Sequence, residues 1–156
     1  MPIELDKFDR RILAILQQDV RRPAELIGAA VGLSASAVQR RIARLREGGV
    51  IAAEVAVVDA KSVGRPLTLI VEVEVERERP ELLASLKQWI GAEPMIQEAW
   101  YVTGAGDYVL IIAARDVEDF EALMQRMVVE NANLRRYQTR VALGTIKRGM
   151  LVPVDA

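Results

Sequence analysis

The sequence predicts an α+β chain: an N-terminal winged helix-turn-helix, a linker strand, then a ferredoxin-like βαββαβ domain. Three observations lead there. Residues 1–50 carry three apolar stripes at helical spacing, interrupted by Gly32 and by Gly48-Gly49. The remainder alternates between strand-period and helix-period segments. Charge divides at the same place: nine basic against six acidic residues in 1–50 give +3, and the rest must carry −4 to reach the total of −1.

Asp6 can cap the first helix, whose apolar set Phe8, Ile12, Ile15 and Leu16 falls at i, i+4, i+7 and i+8. Gln17-Gln18-Asp19 ends it. The second helix starts at Pro23, since proline suits a first turn, and buries Ile27, Ala30 and Val31. Gly32 breaks it, Leu33 packs inward, and Ser34 caps the third helix. There Val38, Ile42 and Leu45 form one stripe, with Ser36, Gln39, Arg40, Ala43 and Arg44 on the other side. That side is small near its start and cationic further on. Small residues permit close approach to a major groove, and Gln and Arg offer bonds to base edges or phosphates. A basic helix face is usually just solvated; the two preceding helices and the glycine turn give this one its helix-turn-helix context. Ser36, Gln39, Arg40 and Arg44 are the candidates for the groove, Arg41 or Arg46 for flanking phosphates, and the capping Ser34 is a further candidate for DNA contact.

Val50-Ile51 opens a small wing or a linker strand reaching Asp59, and 61–66 is rich in turn residues. Leu67–Glu76 alternates Val71, Val73 and Val75 with Glu72, Glu74 and Glu76, which predicts one buried and one wet face. The glutamate row reads as a solvated face rather than a cation site. Pro80 opens a helix with Leu82, Leu86 and Ile90 as its stripe and Leu83 beside them. Ile96–Thr103 and Asp107–Ala114 are strands around the turn Gly104-Ala105-Gly106. Asp116 caps a helix carrying Val117, Phe120, Leu123, Met124 and Met127, and Arg135–Ile146 is the last strand. Helices cover one sheet face in such a domain, so the other face calls for a second subunit and a homodimer. The expected division is 1–50, a 51–66 hinge, 67–148, and a 149–156 tail. Trp89 and Trp100 read as packing or interface residues.

Cysteine is absent, which removes disulfides, thiol catalysis and cysteine metal sites. Histidine is absent too, and with it the commonest general base and metal ligand. The expectation is a DNA-binding protein rather than an enzyme, with no cofactor and no metal. No apolar run is long enough to span a bilayer and no signal-peptide pattern opens the sequence, so a soluble, cytoplasmic protein without membrane contact is expected.

The chain resembles the Lrp/AsnC family of feast-or-famine transcriptional regulators over nearly its whole length. Leu5-Asp6, Asp9, Ile12-Leu13 and Leu16 look like the family's opening helix. Val31-Gly32-Leu33-Ser34, Arg41-Ile42, Arg44-Leu45 and Gly49-Val50-Ile51 look like its recognition helix and exit. Gly64, the run Thr103-Gly104-Ala105-Gly106-Asp107-Tyr108, Thr139 and Lys147 match further landmarks. Val20, Arg22-Pro23 and Asn131-Ala132-Asn133 depart from the family pattern. The resemblance implies binding of double-stranded DNA by the N-terminal domain. It also implies homodimers assembling into tetramers or octamers, and an amino acid or related metabolite sensed between effector domains.

For that effector the candidates are Tyr101, Thr103, Gly104, Ala105, Gly106, Asp107 and Thr139. Glycines let backbone N–H groups approach a carboxylate, Asp107 can take an ammonium group, and Thr103 adds a hydroxyl. The competing reading is a plain hairpin, with glycines for positive φ and the aspartate bonding its own backbone. Tyr101 and Thr139 would act from the partner subunit. Gly104-x-Gly106 joins two strands and is no dinucleotide fingerprint. Three further functions stay open at this point: an effector-independent architectural DNA protein, an assembly module whose helix-turn-helix no longer binds DNA, and a tetrapyrrole enzyme. Some haem-pathway decarboxylases are similar to the family in fold, but their chemistry usually draws on histidine.

Overall fold

The computed structural model describes residues 3–155. They fall into two compact units, one built from the chain up to Ala56 and from Lys147 onward, the other from Val57–Ile146.

The first unit holds α1 (Lys7–Leu16), α2 (Ala24–Val31) and α3 (Ala35–Glu47). Asp6 caps α1 as expected: its carboxylate accepts the N–H groups of Phe8 and Asp9, while Asp9 returns a bond to the Asp6 N–H. Ile12, Leu16, Ile27, Val31, Val38 and Ile42 form the core, with Ile15 and Leu33 packed against it. Three expectations need correction. Pro23 is the cap of α2 rather than its first residue, with ψ at 141°. Ala30 is exposed, and Gly28 is buried in its place. Phe8 lies half-buried at the edge, under the Arg41 guanidinium at 5.5 Å.

Neither a wing nor a paired linker strand follows. The N–H groups of Val50 and Ile51 both return to the Leu45 carbonyl, folding the chain onto the end of α3. Beyond them no described residue up to Asp59 joins a ladder, and Val55, Val57 and Val58 are exposed. A strand needs a neighbouring edge for its N–H and C=O groups, and no such edge meets this segment within one chain. The C-terminal tail returns to α1, where the Gln17 amide donates to the Val152 carbonyl at 3.0 Å and accepts its N–H at 2.7 Å.

The second unit runs β1 (Leu67–Val75), α4 (Pro80–Ala92), β2 (Ile96–Tyr101), β3 (Tyr108–Ala114), α5 (Val117–Glu130) and β4 (Leu134–Val141). Its antiparallel sheet has the order β2-β3-β1-β4, the arrangement expected of βαββαβ. Leu69, Val71, Val73 and Val75 point into a core shared with Leu110, Ile112, and α4 and α5 side chains. Pro80 opens α4 and Asp116 caps α5 through the Asp119 N–H at 2.7 Å, both as expected. The α4 stripe is Leu83, Leu86 and Ile90; Leu82 stands one residue round the helix and is exposed. Val117, in the first turn of α5, is exposed as well.

The three later strands are each shorter than expected. The hairpin closes where the Val102 N–H meets the Asp107 carbonyl, so β2 stops at Tyr101 and β3 starts at Tyr108. The last bond of β4 joins the Ala142 N–H to Thr68, next to the start of β1. Beyond it β1 offers no further edge, and Leu143 and Ile146 are fully exposed. The Asn-Ala-Asn bend is held by its amides: Asn131 donates to the Met127 carbonyl, and Asn133 bonds both backbone groups of Arg77. Trp89 packs against the core and donates to Glu130 at 2.7 Å, a packing role as expected. Trp100 lies exposed on β2, opposite Val109.

Candidate nucleic-acid interface and hairpin groove

α3 is built as a capped helix with one free face. The Ser34 hydroxyl accepts the Ala37 N–H at 3.3 Å and pairs with the Ser36 hydroxyl at 3.2 Å. Val38, Ile42 and Leu45 are buried, leaving Ser36, Gln39, Arg40 and Ala43 exposed on the far side. The turn before it needs two glycines. Gly32 has φ +81°, a conformation that L side chains rarely adopt. Gly28 lets the chain cross closely: a Cβ there would stand 2.4 Å from the Leu33 carbonyl oxygen.

The arginines of α3 are not alike. Arg41 bonds Asp6 and Asp9, each at 2.8 Å, and Arg44 bonds the other oxygen of Asp9. The Asp9 side chain is fully buried. Arg46 is held by Glu54 at 2.7 Å. Arg40 makes no ion pair with any described residue and points to solvent. The Asp6 carboxyl is held below its ordinary value, first by the Asp9 N–H and further by Arg41; Asp9 and then Asp6 push Arg41 up. Of the candidates for DNA contact, then, Ser36, Gln39 and Arg40 share the open face. Ser34 is engaged as a cap, and Arg41, Arg44 and Arg46 are already paired within the chain. Asp9 was not among the candidates. Its signal is its phase: it shares the buried face of α1 with Ile12, Leu13 and Leu16, and a carboxylate there must find a cation.

The hairpin carries both a turn and a groove. Gly104 has φ +133°, so its glycine is required by backbone conformation. Gly106 has no positive φ; it passes Glu72 and Val73 of β1, with room for a Cβ at 3.5 Å. The Asp107 side chain does not bond its own turn. Its carboxylate accepts the Val75 N–H at 2.7 Å and its N–H donates to the Val73 carbonyl at 2.9 Å, pinning the hairpin to β1. Thr103, Gly104 and Ala105 are exposed at the tip.

Tyr101 pairs with Tyr108, its ring 5.1 Å away, and Lys87 stands 5.4 Å above it. Thr139, on β4, pairs with Val71 of β1, and its hydroxyl is buried without a hydrogen-bond partner among the described residues. These two residues lie on opposite edge strands of the four, about 14 Å apart at the usual strand spacing. One chain therefore does not bring them together.

A groove of about 270 Å³ opens beside the hairpin, lined by Glu72, Glu74, Ala105, Gly106, Arg136, Tyr137 and Gln138. The glutamate row is thus not simply solvated. Glu74 pairs with Arg135 at 2.6 Å and Arg136 at 2.5 Å, and Glu72 with Arg140 at 2.9 Å. Arg136, then Arg135, holds the Glu74 carboxyl below its ordinary value. The lining offers acceptors for an ammonium group and donors for a carboxylate side by side.

Comparison with known proteins places both units. The AsnC-type helix-turn-helix domain matches residues 5–46, and the Lrp/AsnC ligand binding domain matches residues 68–152. An HTH-type transcriptional regulator of Sinorhizobium fredii is 39% identical over 98% of this chain and 90% of its own. The crystal structure of an AsnC family transcriptional regulator from Agrobacterium tumefaciens superposes with TM-score 0.89 at 29% identity, covering 96% of this chain and 97% of that one. A feast or famine regulatory protein from Mycobacterium tuberculosis, solved with L-methionine, gives TM-score 0.83 at 26% identity over 96% of this chain and 99% of its own.

Proposed function

The chain belongs to the Lrp/AsnC family of DNA-binding transcriptional regulators, and we propose that it reads double-stranded DNA through α3 as a homodimer whose affinity answers to an amino acid. The observation that carries this reading is the open face of α3, where Ser36, Gln39, Arg40 and Ala43 stand clear of a helix packed on its other side. Ser36 and Ala43 allow close approach to a major groove, Gln39 can pair with a base edge, and Arg40 can pair with guanine or a phosphate.

The helix-free face of the sheet supports a dimer. Ile70, Val109 and Ile111 are only half-covered there and Trp100 is exposed. A second copy covers that face, and its two-fold axis calls for a roughly palindromic operator with half-sites one or more turns apart. Two weak readers joined in this way bind more tightly than either alone. The effector site is the hairpin groove, with Ala105 and Gly106 at its rim and Glu72, Glu74, Arg136 and Gln138 facing the zwitterion. Tyr101 and Thr139, on opposite edges of the sheet, join it from two different neighbouring subunits. A ligand there favours one packing of subunits over another, so assembly to tetramer or octamer and DNA affinity are linked. None of the described helices is long and apolar enough to cross a membrane, and regulation rather than catalysis is the role proposed.

The test is binding to the DNA upstream of the protein's own gene and to scrambled DNA of equal length, at one fixed salt concentration. Wild type is expected to prefer the upstream DNA, Arg40→Ala to weaken that binding, and added L-methionine to shift it. Equal binding of both duplexes would replace the reading with an architectural role. No binding with or without amino acid would overturn it.

A further inference from the structure

Four arginines crowd seven positions of α3: Arg40, Arg41, Arg44 and Arg46. We propose that Asp9 decides which of them meet DNA. It is a positioning residue that withholds Arg41 and Arg44 from the phosphates and so restrains sequence-independent binding. The inference rests on α3 being the DNA-reading helix.

The geometry is specific. One oxygen of the buried Asp9 carboxylate takes Arg41 at 2.8 Å, and the other takes Arg44 and the Asp6 N–H. Asp6 supplies a second carboxylate to Arg41 at 2.8 Å, and the Phe8 ring lies 5.5 Å below the same guanidinium. Arg41 is thereby flanked by two carboxylates and a ring, and only 26% of its side chain is exposed. A carboxylate without solvent around it holds its cation far more firmly than a surface one does. A phosphate must therefore compete with Asp9 for Arg41 and Arg44, and with Glu54 for Arg46. Arg40 alone enters the groove uncompensated. Each neutralised phosphate steepens the slope of log affinity against log salt by about 0.9. A helix with four free arginines would grip any duplex. One with a single free arginine beside Ser36, Gln39 and Ala43 depends on what the base edges offer.

The experiment measures that slope on a random-sequence duplex between about 50 and 200 mM salt, and in parallel the preference for upstream over random DNA. The variants are Asp9→Asn, Arg41→Met and Arg40→Ala, with helix content followed by circular dichroism. Asp9→Asn is expected to steepen the slope by about 1 to 2 per subunit and to lower the preference. A merely structural loss would weaken binding at every salt without steepening it. Arg41→Met keeps Asp9 bonded to Arg44 and is expected to leave the slope within about 0.3 of wild type, whereas Arg40→Ala loses about 0.9. A folded Asp9→Asn protein with wild-type slope and preference overturns the proposal. Should Asp9→Asn not fold, Arg41→Met decides: a loss matching that of Arg40→Ala makes Arg41 a phosphate contact and overturns it too. If Arg40→Ala changes nothing, the reading of α3 itself falls, a failure distinct from that of Asp9.

Discussion

Gly28→Ala adds one methyl group to α2, and two physical effects oppose each other there. Helix propensity favours alanine by about 1 kcal/mol in a helix interior. The close approach disfavours it: the new Cβ would stand 2.4 Å from the Leu33 carbonyl oxygen, 3.4 Å from its carbon and 3.5 Å from the Ala35 nitrogen. Ordinary contact requires the oxygen to retreat by about 1 Å. It is poorly able to do so. The N–H groups of Gly32 and Leu33 both bond the Gly28 carbonyl, at 2.8 and 3.0 Å, and the next residue is the Ser34 cap of α3. Overpacking of this kind costs about 1–3 kcal/mol and sometimes more. The net expectation is destabilisation by about 1–2 kcal/mol, or roughly 5–15 °C in the melting of a unit this small. Gly91→Ala is the control. It lies in α4, where a Cβ would meet nothing within 4 Å, and it should stabilise by about 0.5 kcal/mol. Thermal melts followed by far-ultraviolet circular dichroism, with DNA binding as the readout for α3, compare the two. If Gly28→Ala is as stable as wild type or more so, close approach of the turn does not explain that glycine.

Asp119 gives a pH prediction. Its carboxyl is lowered to about 2, first by the Arg115 side chain, then by the Arg115 N–H and by Arg65. A depressed folded-state value means that this stabilisation is complete above the ordinary 3.8 and lost as pH falls through about 2. Asp119→Asn should therefore remove part of the acid dependence of stability in that window, seen as a flatter acid limb in denaturation against pH. Thr139→Val removes a buried hydroxyl that has no partner among the described residues. The variant should melt higher without effector, by about 1 kcal/mol, and show a smaller L-methionine shift. A lower melting point would mean that the hydroxyl is satisfied in the working protein by something other than effector.

The sequence by itself determined the helices of both units, three of their caps and the βαββαβ order of elements. Asp6, Ser34 and Asp116 cap as read, and the valine alternation of β1 faces the core as read. These features are legible because they are local: a cap acts over three residues and a periodicity over ten or so. The hairpin was legible as a place for the same reason. Three strand ends were misjudged because a strand extends only as far as its neighbour, which no local window contains. Tertiary structure alone decided which charges and polar groups pair across the chain. Asp9 meets Arg41 and Arg44 across 32 and 35 residues, and Glu74 meets Arg135 and Arg136 across 61 and 62. Asp107 is committed to β1 across 32 residues, and Gln17 to the tail across 135. A charge on a helix reads from sequence as a solvated face, since water is its default partner. Whether burial replaces that water with an opposite charge depends on which distant residue the fold sets beside it, and in α3 that difference separates one arginine open to solvent from three already held.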